Sequence, residues 1–192
     1  FDSKKNSLNL PEIANLKKLQ DFTNLRAFAD SEALKIKYTD KKIYFQNEPK
    51  GSNAKMLYGI AEKIRCEKIG SENLKGVKNN LIQCYEDKFK KKDADQSVND
   101  TEIPLTEAFE MYLRNHFFKI KQNKTGKKVL DYSKNLFDKE IKLKLVDLDA
   151  SIENQAKFNQ IVSKIINSLS FDDSDQKENE EKDNQAQNNA SS

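Results

Sequence analysis

Between Leu57 and Phe89 the apolar residues recur at steps of three and four, in two runs separated by a Gly-Ser pair. Leu57, Tyr58, Ala61 and Ile64 precede the pair, with Ile69 ending their series; Leu74, Val77, Leu81, Tyr85 and Phe89 follow it. That spacing puts one apolar stripe on each of two helices, and a chain so patterned has to bury both stripes against other helices. The pattern predicts that the two helices meet at Gly70-Ser71. Gly70 can take the left-handed conformation that closes the first helix, and Ser71 can cap the second. Glu62, Arg65 and Glu67 lie close to this expected junction.

The same reading covers the rest of the chain. Asn9-Leu10-Pro11-Glu12 is a helix start, with Pro in an early position and an acid at the positive end. Ile13, Leu16, Leu19, Phe22 and Leu25 then carry a helix to about Ala29. Beyond it the period changes: Leu34, Ile36 and Tyr38 alternate with lysines, and Ile43 and Phe45 alternate after Thr39-Asp40-Lys41. This is a β-hairpin pattern over about residues 33–46. Residues 47–53 form a loop by their breakers, and Asp93 to Thr101 is a polar loop. Ile103-Pro104 opens a strongly amphipathic helix through Leu105, Phe109, Tyr112, Leu113 and Phe117, which Lys121 to Gly126 interrupts. Val129, Leu130, Leu136, Phe137 and Ile141 make another apolar face; Leu143, Leu145 and Val146 either continue it or cross over in an extended form. The last helix spans Leu148–Leu169. The expected fold is mainly α, a compact helical domain over residues 1–171 with one small β-hairpin, followed by an acidic tail.

Charge sets that tail apart. Residues 172–192 hold seven acids against Lys177 and Lys182, a net of −5, which leaves +8 on residues 1–171 of a chain whose total is +3. With only Ala186 and Ala190 as apolar residues, the segment cannot repay its ordering entropy by burial and reads as a disordered linker. The whole chain is 36% apolar and 34% charged, so its core is economical. No run approaches the roughly 18 apolar residues of a membrane helix, and residues 1–8 lack the apolar core of a secretory signal. A start at Phe1 instead of Met is what a fragment or processed piece would show, and a soluble, cytoplasmic protein is expected. Cys66 and Cys84, on either side of the expected turn, would be offset by about 12 Å along their helices at roughly 1.5 Å per residue. That exceeds the roughly 7 Å disulfide limit, so free thiols are expected.

The inventory for chemistry is thin. His116 is the only histidine and lies inside an apolar run; with two separated cysteines it makes no soft-metal cluster. Asp172-Asp173-Ser174-Asp175-Gln176 misses the D-x-S-x-S metal pattern at Gln176. Gly126-Lys127 is followed by Lys128 where a phosphate-binding loop needs Ser or Thr, and Lys121 stands at its first glycine position. No serine or cysteine is paired with a base in a local motif. We therefore expect no catalytic, metal or cofactor residues here. Lysines cluster at 88–92 and 119–128 near Phe89, Phe117 and Phe118, so a basic helical nucleic-acid-binding domain is the alternative reading. Against it, the chain holds only Arg26, Arg65 and Arg114, although the guanidinium fork is what base edges and phosphates favour. Glu62 and Arg65, three apart, can pair on a helix surface for roughly 0.2–0.5 kcal/mol. Gly76 inside a helix costs about 1 kcal/mol relative to Ala, which suggests close helix packing there.

The order E-x-x-R-x-E-x-x-G-x-x-x-x-x-G-x-x-x-N-L, filled by Glu62, Arg65, Glu67, Gly70, Gly76, Asn80 and Leu81, resembles the N-terminal region of the CobT subunit of the aerobic, ATP-dependent cobaltochelatase. The likeness extends to Leu25–Tyr38, similar to the family's short helix followed by a strand. It also takes in Lys127–Asp131 and the terminal helix running into an acidic segment. The resemblance implies a subunit acting with an AAA+ ATPase subunit and a large tetrapyrrole-binding subunit. Together these insert cobalt into hydrogenobyrinic acid a,c-diamide, with ATP, Mg and cobalt used by the complex. It further implies a C-terminal von Willebrand A-type domain beyond the acidic linker, and an oligomeric assembly role for the helical part. In that role Glu62, Arg65, Glu67, Gly70, Gly76 and Asn80 would anchor the helix junction or a partner.

Overall fold

The computed structural model describes residues 18–95 and 103–169, with backbone alone over 89–95. The helix start at Asn9–Glu12, most of the loop at Asp93–Thr101 and the acidic segment 172–192 lie outside the described residues. Among the described residues eight α-helices follow in chain order: α1 Leu19–Tyr38, α2 Lys41–Asn47, α3 Ser52–Asn73, α4 Lys75–Asp95, α5 Leu105–Phe118, α6 Lys124–Ile141, α7 Leu145–Ala150 and α8 Gln155–Ser168.

Helix α3 is the axis of the assembly. Leu57, Tyr58, Ala61 and Ile64 are fully buried on it and pack with the stripes of α5, α6 and α8, where Phe109, Phe137 and Phe158 are equally buried. Phe109 and Phe137 meet edge to face at 5.6 Å between ring centres, the geometry that the ring quadrupoles favour. A second, smaller cluster joins α1, α3 and α4 through Ala27, Leu34, Cys66 and Leu81. Helix α1 thus lies on the opposite side of α3 from the main core, with α4 beside it.

Several expectations are corrected here. No strand occurs among the described residues, and the hairpin expected at 33–46 is the end of α1 and most of α2. Leu34, Ile36 and Tyr38 do alternate, but Ala27, Ser31, Leu34 and Tyr38 also recur at helical steps. It is this second set that turns toward α3, while Ile36 is 57% exposed. Thr39-Asp40-Lys41 is no hairpin turn: the Asp40 carboxylate accepts from the backbone N–H of Lys42 (2.7 Å) and Ile43 (3.1 Å) and starts α2, the ordinary N-cap arrangement. Likewise α3 does not end at Gly70-Ser71; it runs on to Asn73 and closes at Leu74, whose N–H bonds the Gly70 carbonyl. Leu74 is accordingly exposed, and Ser71 is buried inside α3, not a cap.

Gly70 is needed for another reason. A Cβ added to it would overlap the side chain of Leu34, so the missing side chain lets α1 pack directly on α3. Gly76, where close packing is expected from the sequence, faces open space. The expected interruption at Lys121 to Gly126 is found a little early: α5 ends at Phe118, Lys119 turns left-handed (φ 50°), and Asn123 caps α6 through the Gly126 N–H at 2.7 Å. After α6 the chain continues helically. A 3-10 turn over Lys142–Lys144 leads into α7, so the segment around Leu143 and Val146 is not extended. The expected last helix is broken at Ser151 into α7 and α8, with Asn154 capping α8.

The two glycines make opposite predictions. Gly70→Val should destabilise the fold by about 1–3 kcal/mol through overpacking against Leu34. Gly76→Ala, meeting nothing, should stabilise it by about 0.5–1 kcal/mol through helix propensity. Urea unfolding followed by circular dichroism reads both.

Candidate functional site

The three charged motif residues, Glu62, Arg65 and Glu67, all lie on α3, in two polar networks that leave its buried faces on either side. The first surrounds Arg65, 1% exposed, and Glu62, equally buried. Being three apart on one helix, they can pair, and here they pair inside the protein: Arg65 Nε donates to Glu62 Oε2 and Nη2 to Glu62 Oε1, both at 2.9 Å. The guanidinium goes on to donate to the carbonyls of Ile152 (3.2 Å) and Tyr38 (2.5 Å). Thr39 Oγ1 donates to Glu62 at 2.8 Å. Next to it, Gln155 accepts from the Asp40 N–H (2.8 Å) and donates to the Asp40 carbonyl (3.0 Å). Arg65 and Gln155 together hold the α1–α2 corner against the turn that opens α8. Burial alone would lower the Arg65 guanidinium, but the hydrogen bond and charge of Glu62 hold it above its ordinary value. Burial also pushes the neighbouring Cys66 thiol up to about 12, and Cys66 and Cys84 are free. Such a thiol is a poor nucleophile at neutral pH.

The second network lies about one turn further along α3 and ties four helices together. Arg114 of α5, 2% exposed, donates from Nη1 to Glu67 Oε2 at 2.5 Å and from Nε to Glu110 Oε1 at 2.9 Å. Its Nη2 donates to the Tyr85 hydroxyl of α4, and its guanidinium carbon lies 3.3 Å from the centre of the Tyr85 ring. Glu67 also accepts from Ser31 of α1 at 2.6 Å, and Glu110 from Lys88 of α4 at 2.9 Å. Each carboxylate therefore has charged or hydroxyl donors, the condition under which a buried pair is tolerated. Burial alone would raise the Glu110 carboxyl; the positive charges of Arg114 and Lys88 outweigh it and hold it at about 2. The Tyr85 hydroxyl goes well up, from burial first and the Glu67 charge second.

The remaining predicted residues fall outside these networks. Gly70 packs on Leu34, Gly76 is open, and Asn80 Nδ2 donates to Asp30 of α1 at 3.2 Å. His116 lies at the surface end of α5, 2.9 Å from both carboxylate oxygens of Asp149. Sequence reasoning missed Arg114, Glu110, Tyr85 and Ser31 as partners. Only Glu110 and Arg114 left a local signal, an acid four residues ahead of an arginine on one helix. Among the described residues no group of three or more His, Cys, Asp and Glu side chains is placed to hold a metal ion. Phe117 and Phe118, near the second lysine cluster, are buried and offer no face for a base to stack on.

Together the fold and the networks define a helical scaffold whose internal charges are spent on bracing one helix against another. The family model for the cobalamin biosynthesis protein CobT matches residues 2–192, and the chain belongs to that family. That membership, which the E-x-x-R-x-E motif already suggested, gives it a role in cobalamin biosynthesis. No solved structure matches the chain. No helix among the described residues is long and apolar enough to cross a membrane.

Two predictions come from the second network. Arg114→Met leaves Glu67 and Glu110 without their main counter-charge and should cost about 3–5 kcal/mol, read by chemical denaturation. The Glu110 carboxyl is depressed from 4.5 to about 2 in the folded chain. The unfolded chain therefore takes up its proton first as pH falls, and the stabilisation is full above about pH 5 and lost progressively down to about pH 2. Glu110→Gln should flatten that acid limb in a pH series of melting temperatures, with little change in its slope above pH 6.

Proposed function

We propose that this chain is the non-catalytic assembly domain of a cobaltochelatase CobT subunit. In this reading it docks on an AAA+ ATPase subunit that hydrolyses ATP with Mg, while a large subunit holds the tetrapyrrole, and the cobalt is inserted there. The family match over residues 2–192 carries the proposal. The chemistry of the scaffold supports it. The ionisable groups of the E-x-x-R-x-E motif are buried and engaged with other helices, so they serve to fix a shape that a partner can read. A cytoplasmic location follows from the same reading, since the substrate and the ATP are soluble small molecules. The C-terminal side, beyond an acidic linker, would carry the family's A-type metal-binding domain.

Co-expression with the AAA+ subunit tests this directly. The expected result is a stable complex by size-exclusion chromatography that survives ATP addition and moderate salt. Recovery of the two proteins as separate species would overturn the proposal, as would ATP hydrolysis or corrin metallation by the purified chain alone. The nucleic-acid reading predicts instead a retention on single-stranded DNA that falls steeply with salt.

A further inference from the structure

A cavity of about 370 Å³ opens between α1 and α4, with α3 as its floor, lined by Asn24, Ala27, Phe28, Lys63, Leu81 and Cys84 among others. Its walls are mostly apolar, and Phe28 stands at its edge 41% exposed. Its floor is rigid, because the Ser31–Glu67–Arg114–Tyr85 network lies directly beneath it and joins α1, α3, α4 and α5.

One cation lining this pocket stands outside the ion pairs around it. Arg114 and Lys88 are bonded to Glu67 and Glu110, and Asp87, buried next to Cys84 on α4, is engaged as well. Lys63 lines the same cavity and is only partly exposed, yet it forms no ion pair among the described residues. An apolar pocket with one unmatched positive charge is complementary to an apolar group carried beside a negative one. The volume sits at the low end of the roughly 300–1,000 Å³ of small-molecule sites and suits one large anchor side chain. Such an anchor in a preformed pocket, with a complementary charge at its rim, is the usual centre of a protein interface.

We infer that this pocket receives a segment of a protein partner that presents an aromatic side chain flanked by carboxylates. The ring lies against Phe28, Ala27 and Leu81, and a carboxylate pairs with Lys63. This rests on the assembly reading above and gives it a location.

The test uses blocked peptides on the whole chain, followed by NMR. Ac-Glu-Trp-Glu-NH2 is expected to bind saturably, with Kd about 1 mM or tighter, and to shift the amides of Asn24, Phe28, Lys63 and Cys84. Ac-Gln-Trp-Gln-NH2 and Ac-Glu-Ala-Glu-NH2 should each bind at least tenfold more weakly. Lys63→Glu and Phe28→Ala, checked for an unchanged helical spectrum, should each raise the Kd at least tenfold. Absence of saturation, or equal binding to both variants, overturns the inference, and so does equal binding of the uncharged peptide. The same variants are then carried into the AAA+ co-purification. If the wild-type chain holds the ATPase subunit and both variants hold it equally, the pocket is not the anchor while the assembly reading stands. If the wild-type chain does not hold it, the assembly reading falls, and the peptide titration alone decides the pocket.

Discussion

Everything else in this fold is arranged around the pairing of Arg114 with Glu67. A guanidinium and a carboxylate removed from water each lose several kcal/mol of hydration, and that loss is recovered only if every donor and acceptor finds a partner. The requirement is strict enough to dictate positions. Ser31 must bring α1 close, Tyr85 must lay its ring on the guanidinium from α4, and Glu110 must stand one turn before Arg114 on α5. Four helices are therefore held in a single relative arrangement, whereas apolar stripes alone would tolerate sliding by a turn.

The Arg65–Glu62 pair does comparable work on the other side of α3. It spends its hydrogen bonds on main-chain carbonyls at the end of α1, where the last helical carbonyls lack partners, and in the turn between α7 and α8. Tyr38 and Ile152 supply those carbonyls. The two networks together explain why a chain with a modest apolar fraction makes a defined core: specificity comes from buried charge, and bulk cohesion from the aromatic and aliphatic stripes.

How much of this was legible beforehand differs from residue to residue. Leu57, Tyr58, Ala61 and Ile64 were readable as a buried helical stripe, because a long run at helical steps has one geometric solution. The hairpin was misread because Leu34 and Tyr38, four apart, fit periods of two and 3.6 alike over so short a run, and Ile36 between them completed the alternation. Gly70 was recognised as special, but for the wrong reason: a glycine that ends a helix and one that admits a neighbouring helix look identical in sequence. Gly76 was the converse, a glycine with no close neighbour. The motif carried the family and named Glu62, Arg65 and Glu67, yet it contained nothing of Arg114, 47 residues further on.

Local periodicity by itself determined that the chain is helical and where most of its stripes lie, and the order of residues in the E-x-x-R-x-E motif resembled the family to which it belongs. Tertiary structure decided which charges pair, where α1 and α3 end, and which glycine is a contact. The reason is physical: helix periodicity is a property of neighbours along the chain, whereas the cost of burying an ion depends on groups that only folding brings within 3 Å of it.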